Sequence, residues 1–461
     1  MKAIRGLGQN PTGRLKIVLL CGAALCVFAG AGRADEIASP KLEPLELKIA
    51  SDKVRTFLAS LKTESDAKKL DSAFDDVQKA FDKIAKDKSL ESFDRYPELL
   101  AEIVRASLEF KKVGTPNGRV SPWKREETAS GKTIKNEYAL WLPRRYDASQ
   151  SYPLVLCLAS TKQTGQAYLE SVFGKHEGFK NDYIIAAPTL VASNFKADKG
   201  QPQVDPSWFS HQGLWQLLAL TLKDVIETYN VDPNRIYLDG YGDGGEAAFR
   251  VASAFLDLFA GVVVRSAAPP GDVYLANLRH VPVYNVIGTQ DDAKIVTAAT
   301  NAEAQAKKLN LDGYTLVKAE GQGSKNHFES ENDKVFEWLA GKSRPLFPRE
   351  VEIFTNDRRY GRAYWLQITN MEIGPEYRAF VKASFDRAAN RITVDCENVY
   401  GFSILLNDSI VDLDKPFEVV TNGDQKFTGK KERSLRTALQ RVHLSGDTAR
   451  LFVNSVDISV N

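Results

Sequence analysis

Between positions 71 and 86 the apolar residues Phe74, Val77, Phe81 and Ile84 recur at three- and four-residue spacing, with charges on the other side, which predicts an amphipathic helix. The run over 96–110 repeats the pattern after an acidic start, so 45–112 is expected to be helical and to pack on the next domain. From 115 to 342 the pattern changes to short, continuously apolar runs at 137–142, 154–159, 183–187, 235–239, 262–266, 283–287 and 314–318. Helical periodicity separates them at 214–229, 246–255, 295–308 and 330–339. Apolar strands alternating with helices predict an α/β fold, a doubly wound and mostly parallel sheet covered on both faces. Beyond Pro345 the helical signal fades, and short β-rich runs appear at 351–354, 364–368, 392–394 and 451–453. Turn signals at Asn407-Asp408 and Asn422-Gly423-Asp424 separate such runs, and one helix is expected near 431–442. The organisation expected is a helical extension over 35–114, an α/β domain over 115–345 and a small β-rich domain over 346–461.

The first 34 residues do not fit this pattern of folded elements. They carry Lys2, Arg5, Arg14, Lys16 and Arg33 with no acid, and an apolar, Ala/Gly-rich run of 16 residues from Ile17 to Gly32. A basic start, a short apolar run and small residues before Asp35 describe a secretory signal peptide, and hence an exported, periplasmic or extracellular protein. The run is shorter than the roughly 18 residues of a membrane span, so no stable span is expected after cleavage. Losing those five basic residues from 61 leaves 56 against 59 acidic ones, which gives no basic field for nucleic acid. Of four cysteines only Cys157 and Cys396 would remain, on separate apolar strands, where free and buried thiols are expected rather than a disulfide. No histidine has a second His or Cys at ligand spacing, so neither a metal nor another cofactor is expected.

The chemistry concentrates at 235–245, Arg-Ile-Tyr-Leu-Asp-Gly-Tyr-Gly-Asp-Gly-Gly, an apolar strand running through a glycine-dense turn into a helix. That is the layout of the G-x-S-x-G nucleophile elbow, in which a strained turn presents the serine oxygen to substrate. Gly240 and Gly244 hold the flanking glycine positions, and Gly242 stands where the serine belongs.

Four segments in register make 130–342 resemble the α/β-hydrolase fold, in particular secreted esterase and polyester-depolymerase-like proteins and prolyl-oligopeptidase-type catalytic domains. They are Trp141-Leu142-Pro143-Arg144-Arg145-Tyr146 ahead of Tyr152-Pro153-Leu154-Val155, Asp232-Pro233-Asn234-Arg235-Ile236-Tyr237 leading into the elbow, Gly288-Thr289-Gln290-Asp291, and His327. The resemblance implies Gly242 at the nucleophile position, Asp291 as the acid and His327 as the base. It also implies an oxyanion hole from the backbone N–H of Asp243 and of the loop at Ser160, and a small ester or acyl ligand. The sequence departs from the family twice. Gly242 offers no attacking atom, and Ala159-Ser160-Thr161 replaces the usual His-Gly pair of the oxyanion loop. One of the neighbouring acids Asp291 and Asp292 is expected to cap the next helix, while Trp208, Phe209 and His211 are candidate pocket residues. Two readings stay open: an esterase-like pseudo-hydrolase, or an active ester or acyl hydrolase with an unusual nucleophile such as Asp243, Ser160 or Ser324.

Overall fold

The computed structural model describes residues 39–113, 121–129, 132–175, 182–190, 213–374 and 376–460. Among the described residues three α-helices come first: α1 (Pro44–Thr63), α2 (Ala67–Lys88) and α3 (Pro97–Ala106). Proline at the first position of α1 and α3, and the Asp66 carboxylate accepting from Lys68 N–H, fix where they start. Val77, Phe81 and Ile84 do turn one face of α2 into the core.

Eight strands come next: β1 (Ser121–Ala129), β2 (Lys132–Trp141), β3 (Tyr152–Leu158), β4 (Ile184–Thr189), β5 (Val231–Tyr241), β6 (Gly261–Arg265), β7 (Val283–Gly288) and β8 (Tyr314–Ala319). They form one sheet in the order β1-β2-β4-β3-β5-β6-β7-β8. β2 runs antiparallel to both of its neighbours, and every pairing from β4 across to β8 is parallel. Helices α4 (Gly165–Phe173), α5 (Gly213–Thr228), α6 (Asp243–Ala254), α7 (Ala293–Lys308) and α8 (Asn332–Ala340) lie between and after the strands.

Alternation along the central strands explains why both faces are covered. Leu154, Leu156, Leu238, Val262 and Val264 point into one core with α5, α6 and α7 residues such as Val225, Phe249 and Ala302. Their neighbours Val155, Cys157, Tyr237 and Val263 point into the other, with Tyr168 and Phe173 of α4 and Val335 and Leu339 of α8. This strand order, the two helical layers and the turn after β5 make the region an α/β-hydrolase fold, as its motifs imply. β1 and α4 are additions to the expected elements. Cys157 and Cys396 are both buried and free.

The last segment holds β9 (Glu350–Thr355), β10 (Arg362–Ala363), β11 (Leu366–Met371), β12 (Ala379–Asp386), β13 (Arg391–Glu397), β14 (Val399–Leu406), β15 (Phe417–Thr421), β16 (Asp424–Gly429), α9 (Leu435–Ser445) and β17 (Asn454–Ser459). They build a four-stranded sheet, β10-β11-β14-β17, and a five-stranded one, β16-β15-β13-β12-β9. Residues 451–453 are not a strand: Leu451, Phe452 and Val453 are buried as the connection into β17, which starts after them. Val54, Phe57 and Ile103 of the leading helices share one core with Val381, Ile392 and Phe402 of these sheets.

A buried charge network joins the two larger regions, and residues Ile37–Asn461 pack as one unit. Asp447 lies 2.7 Å from Arg344 and 2.8 Å from Arg450, and Arg450 also reaches Asp257 at 2.9 Å. Among the described residues no helix is long and apolar enough to cross a membrane.

Candidate functional site

The turn after β5 keeps the elbow's backbone. Gly242 is the N-cap of α6 with φ 57° and ψ −124°, a conformation few residues with a side chain adopt. Its N–H donates to Arg265 O at 3.0 Å, and its carbonyl accepts from Gly245 and Glu246 N–H at 2.9 and 3.1 Å. The flanking glycines answer to crowding. A Cβ on Gly240 would stand 2.4 Å from Gly244 O, and one on Gly244 2.1 Å from Leu158 O. A Cβ on Gly242 would meet nothing within 4 Å. The space into which an elbow nucleophile projects is therefore open, and no side chain enters it from position 242.

Asp291 sits in the loop after β7 and is 8% exposed. It accepts from Ser266 Oγ at 3.0 Å and from Gly288 N–H at 2.8 Å. Asp292 caps α7 by accepting from Lys294 N–H. The loops after β7 and β8 lie side by side, with Gln290 N–H donating to Gln322 O at 2.8 Å and Gly321 N–H to Thr289 Oγ1 at 3.0 Å.

His327 stands in the second of these loops with φ 48°. Its ring lies against Tyr241, the residue before the elbow apex, with centroids 4.4 Å apart, and edge-on to Tyr168 at 6.3 Å. The Tyr241 hydroxyl donates to Ser324 O in the same loop. Among the described residues no hydrogen bond joins the His327 ring to Asp291. The structure thus brings His327 to the turn after β5 through an aromatic contact with Tyr241.

Beneath these groups Arg265, at the end of β6, forms a bidentate ion pair with Asp239 of β5, and Tyr168 OH also donates to Asp239. Its Nη1 donates to the carbonyls of His327 and Phe328 at 3.3 and 3.1 Å, which pins the histidine loop. Partial burial lowers the His327 pKa below the ordinary histidine value; the Arg265 charge lowers it further, and Glu329 opposes the shift.

The loop expected to supply an oxyanion donor lies between β3 and α4. Ser160 is half-buried, and its carbonyl accepts from Gln163 N–H at 2.8 Å. The next residue is more telling: Thr161 N–H donates to both carboxylate oxygens of Asp243, at 3.1 and 3.2 Å. Sequence reasoning places the backbone of Asp243 here but does not foresee its side chain reaching this loop. Thr161, Tyr241, Ser266 and the Asp239–Arg265 pair escaped it too. A visible signal for the last was a charge interrupting an apolar run, Asp239 after Ile236-Tyr237-Leu238 and Arg265 after Val262-Val263-Val264. Trp208, Phe209 and His211 lie outside the described residues. Among the described residues no group of three or more His, Cys, Asp or Glu side chains is placed to hold a metal ion.

The site thus sets the His327 ring against Tyr241, leaves position 242 without a side chain, bonds Asp291 to Ser266 and Gly288, and joins the Asp243 carboxylate to Thr161 N–H. No family model and no curated protein matches the chain. Solved structures resemble it in part. A thermostable esterase is 18% identical over 48% of this chain and 63% of its own length, with a TM-score of 0.39. A ferulic acid esterase is 15% identical, over 48% of this chain and 98% of that one, with a TM-score of 0.39. An S-formylglutathione hydrolase from Staphylococcus aureus is 9% identical, over 50% and 100%, again with a TM-score of 0.39. Likenesses this distant say nothing about the chemistry of this chain.

Proposed function

We propose that this chain is an exported, esterase-like pseudo-hydrolase, whose cleft holds a small ester or acyl ligand without turning it over. The observation that carries the reading is the bare apex. Gly242 keeps the strained turn of a nucleophile elbow but supplies no oxygen to attack with. Loss of a triad serine costs on the order of 10⁶-fold in turnover. The second departure expected from the sequence, at the oxyanion loop, weighs the same way, since its Thr161 amide already has a carboxylate partner. Export rests on the basic, apolar and small-residue order of residues 1–34.

The test of catalysis uses a fluorophosphonate probe and a short activated ester on the mature chain. The wild type should be neither labelled nor more active than His327→Ala. Hydrolysis that His327→Ala abolishes would overturn the proposal and establish a working hydrolase. Amino-terminal sequencing of protein recovered outside the cytoplasm tests export. A start near Asp35 supports it, and an intact Met1 on cytoplasmic protein counts against it.

A further inference from the structure

We infer that Asp243 is a second, independent block on this elbow: its carboxylate holds the amide of Thr161, next to Ser160 in the loop expected to meet the developing oxyanion. This rests on the pseudo-hydrolase reading and extends it from the missing nucleophile to the missing anion site. Acyl transfer through an elbow relies on two backbone donors, the N–H of the residue after the nucleophile and an N–H from the loop after the third strand. In this chain the first belongs to Asp243 itself and the second comes from the loop between β3 and α4. In that loop Thr161 N–H donates to both oxygens of the Asp243 carboxylate, 3.1 and 3.2 Å away, across 82 residues of sequence.

A working site meets the carbonyl oxygen with donors as it gains negative charge. Here an ester carbonyl at the apex would find one donor spent and a carboxylate beside it. The position of Asp243 strengthens that contact. It is the first residue of α6, where the helix dipole favours an anion. A residue kept only to favour the helix start has no need of a partner on another loop.

The consequence is that restoring the nucleophile alone leaves the site impaired. The test compares how fast a fluorophosphonate labels the full mature chain as Gly242→Ser and as Gly242→Ser with Asp243→Ala. In the labelling step the serine oxygen bonds to phosphorus, fluoride leaves and the hydroxyl proton passes to His327. The phosphoryl oxygen needs the same donors as an acyl oxyanion. Labelling should be roughly 10²–10³-fold faster in the double variant, the worth of one oxyanion donor. Equal rates, both nil included, or a slower double variant, overturn the inference. Labelling of the wild type would instead overturn the pseudo-hydrolase reading, so the two failures are distinct.

A second measurement does not depend on the double variant folding. In NMR spectra at neutral pH the Thr161 amide proton of the wild type should lie downfield of its position in Asp243→Ala, as expected for a donor to a carboxylate. A Thr161 amide with the same shift in both overturns the contact itself.

Discussion

Arg265 and Asp239 form an ion pair sealed from solvent, with Nη2 and Oδ2 2.9 Å apart and side chains 0% and 1% exposed. The pair ties β6 to β5 below the elbow, and Arg265 continues to the backbone of the His327 loop. Removing one partner leaves a buried charge without compensation, which costs about 3–5 kcal/mol. Arg265→Met should lose about that much in urea unfolding, and Asp239→Asn with Arg265→Met should lose less than the two single losses added together. A single variant within about 1 kcal/mol of wild type would mean the pair carries little of the fold.

Two histidines predict how stability responds to mild acid. Burial holds both His280 and His327 below the ordinary histidine value, partly offset at His280 by its bond to Glu350 O and at His327 by Glu329. The unfolded chain therefore binds protons that the folded one resists. This contribution is complete above the unfolded value of about 6.5 and is lost as pH falls through the lower folded values. The urea midpoint should drop between neutral pH and about pH 5, and His280→Gln should flatten the drop. A midpoint that stays level or rises over this range, or an unchanged slope in the variant, contradicts the expectation.

Asp447 joins Arg344 and Arg450 where the β-rich segment meets the α/β sheet. The two guanidiniums outweigh burial and hold its carboxyl well below the usual carboxylate range. Its folded value being depressed, the contribution is full above the unfolded value of about 3.9 and is lost as pH falls through the folded one. At neutral pH Asp447→Asn should lose about 3–5 kcal/mol, because two buried arginines lose their shared partner. Equilibrium unfolding at pH 7 checks it, and a loss under about 1 kcal/mol refutes the role.

What the sequence discloses depends on the range of the forces involved. β5, the elbow and α6 are legible because an apolar strand, a glycine turn and a helical period lie within one short stretch. β1 is not, since Ser-Pro-Trp-Lys-Arg-Glu-Glu-Thr-Ala has no apolar alternation in its sequence to betray an edge strand. α4 begins on a glycine that must sit there, because a Cβ on Gly165 would stand 1.9 Å from Ala187 O. In sequence that glycine looks like a break rather than a helix start. The site's polarity is the least legible part. Asp243 meets Thr161, and Asp291 meets Ser266, only once the loops after β3, β6 and β7 have been gathered at the carboxyl ends of the parallel strands. No local pattern encodes which carboxylate takes which donor.

The glycines of the elbow separate two causes that look identical in sequence. At Gly244 the cause is crowding: a methyl group would press against Leu158 O at 2.1 Å, and neither backbone can yield without moving β3 from α6. At Gly242 the cause is the backbone angle alone, since φ is 57° and the space around a Cβ is empty. Strain of that kind costs on the order of 1–3 kcal/mol. Gly242→Ala should therefore fold and lose about 1–3 kcal/mol in urea unfolding, while Gly244→Ala should lose clearly more or fail to fold. Gly242→Ser should tolerate the angle as Gly242→Ala does, which makes it the usable probe of the site. If Gly242→Ala proves the more damaging of the two alanine variants, the apex is not open, and the account of an elbow with an empty nucleophile position fails with it.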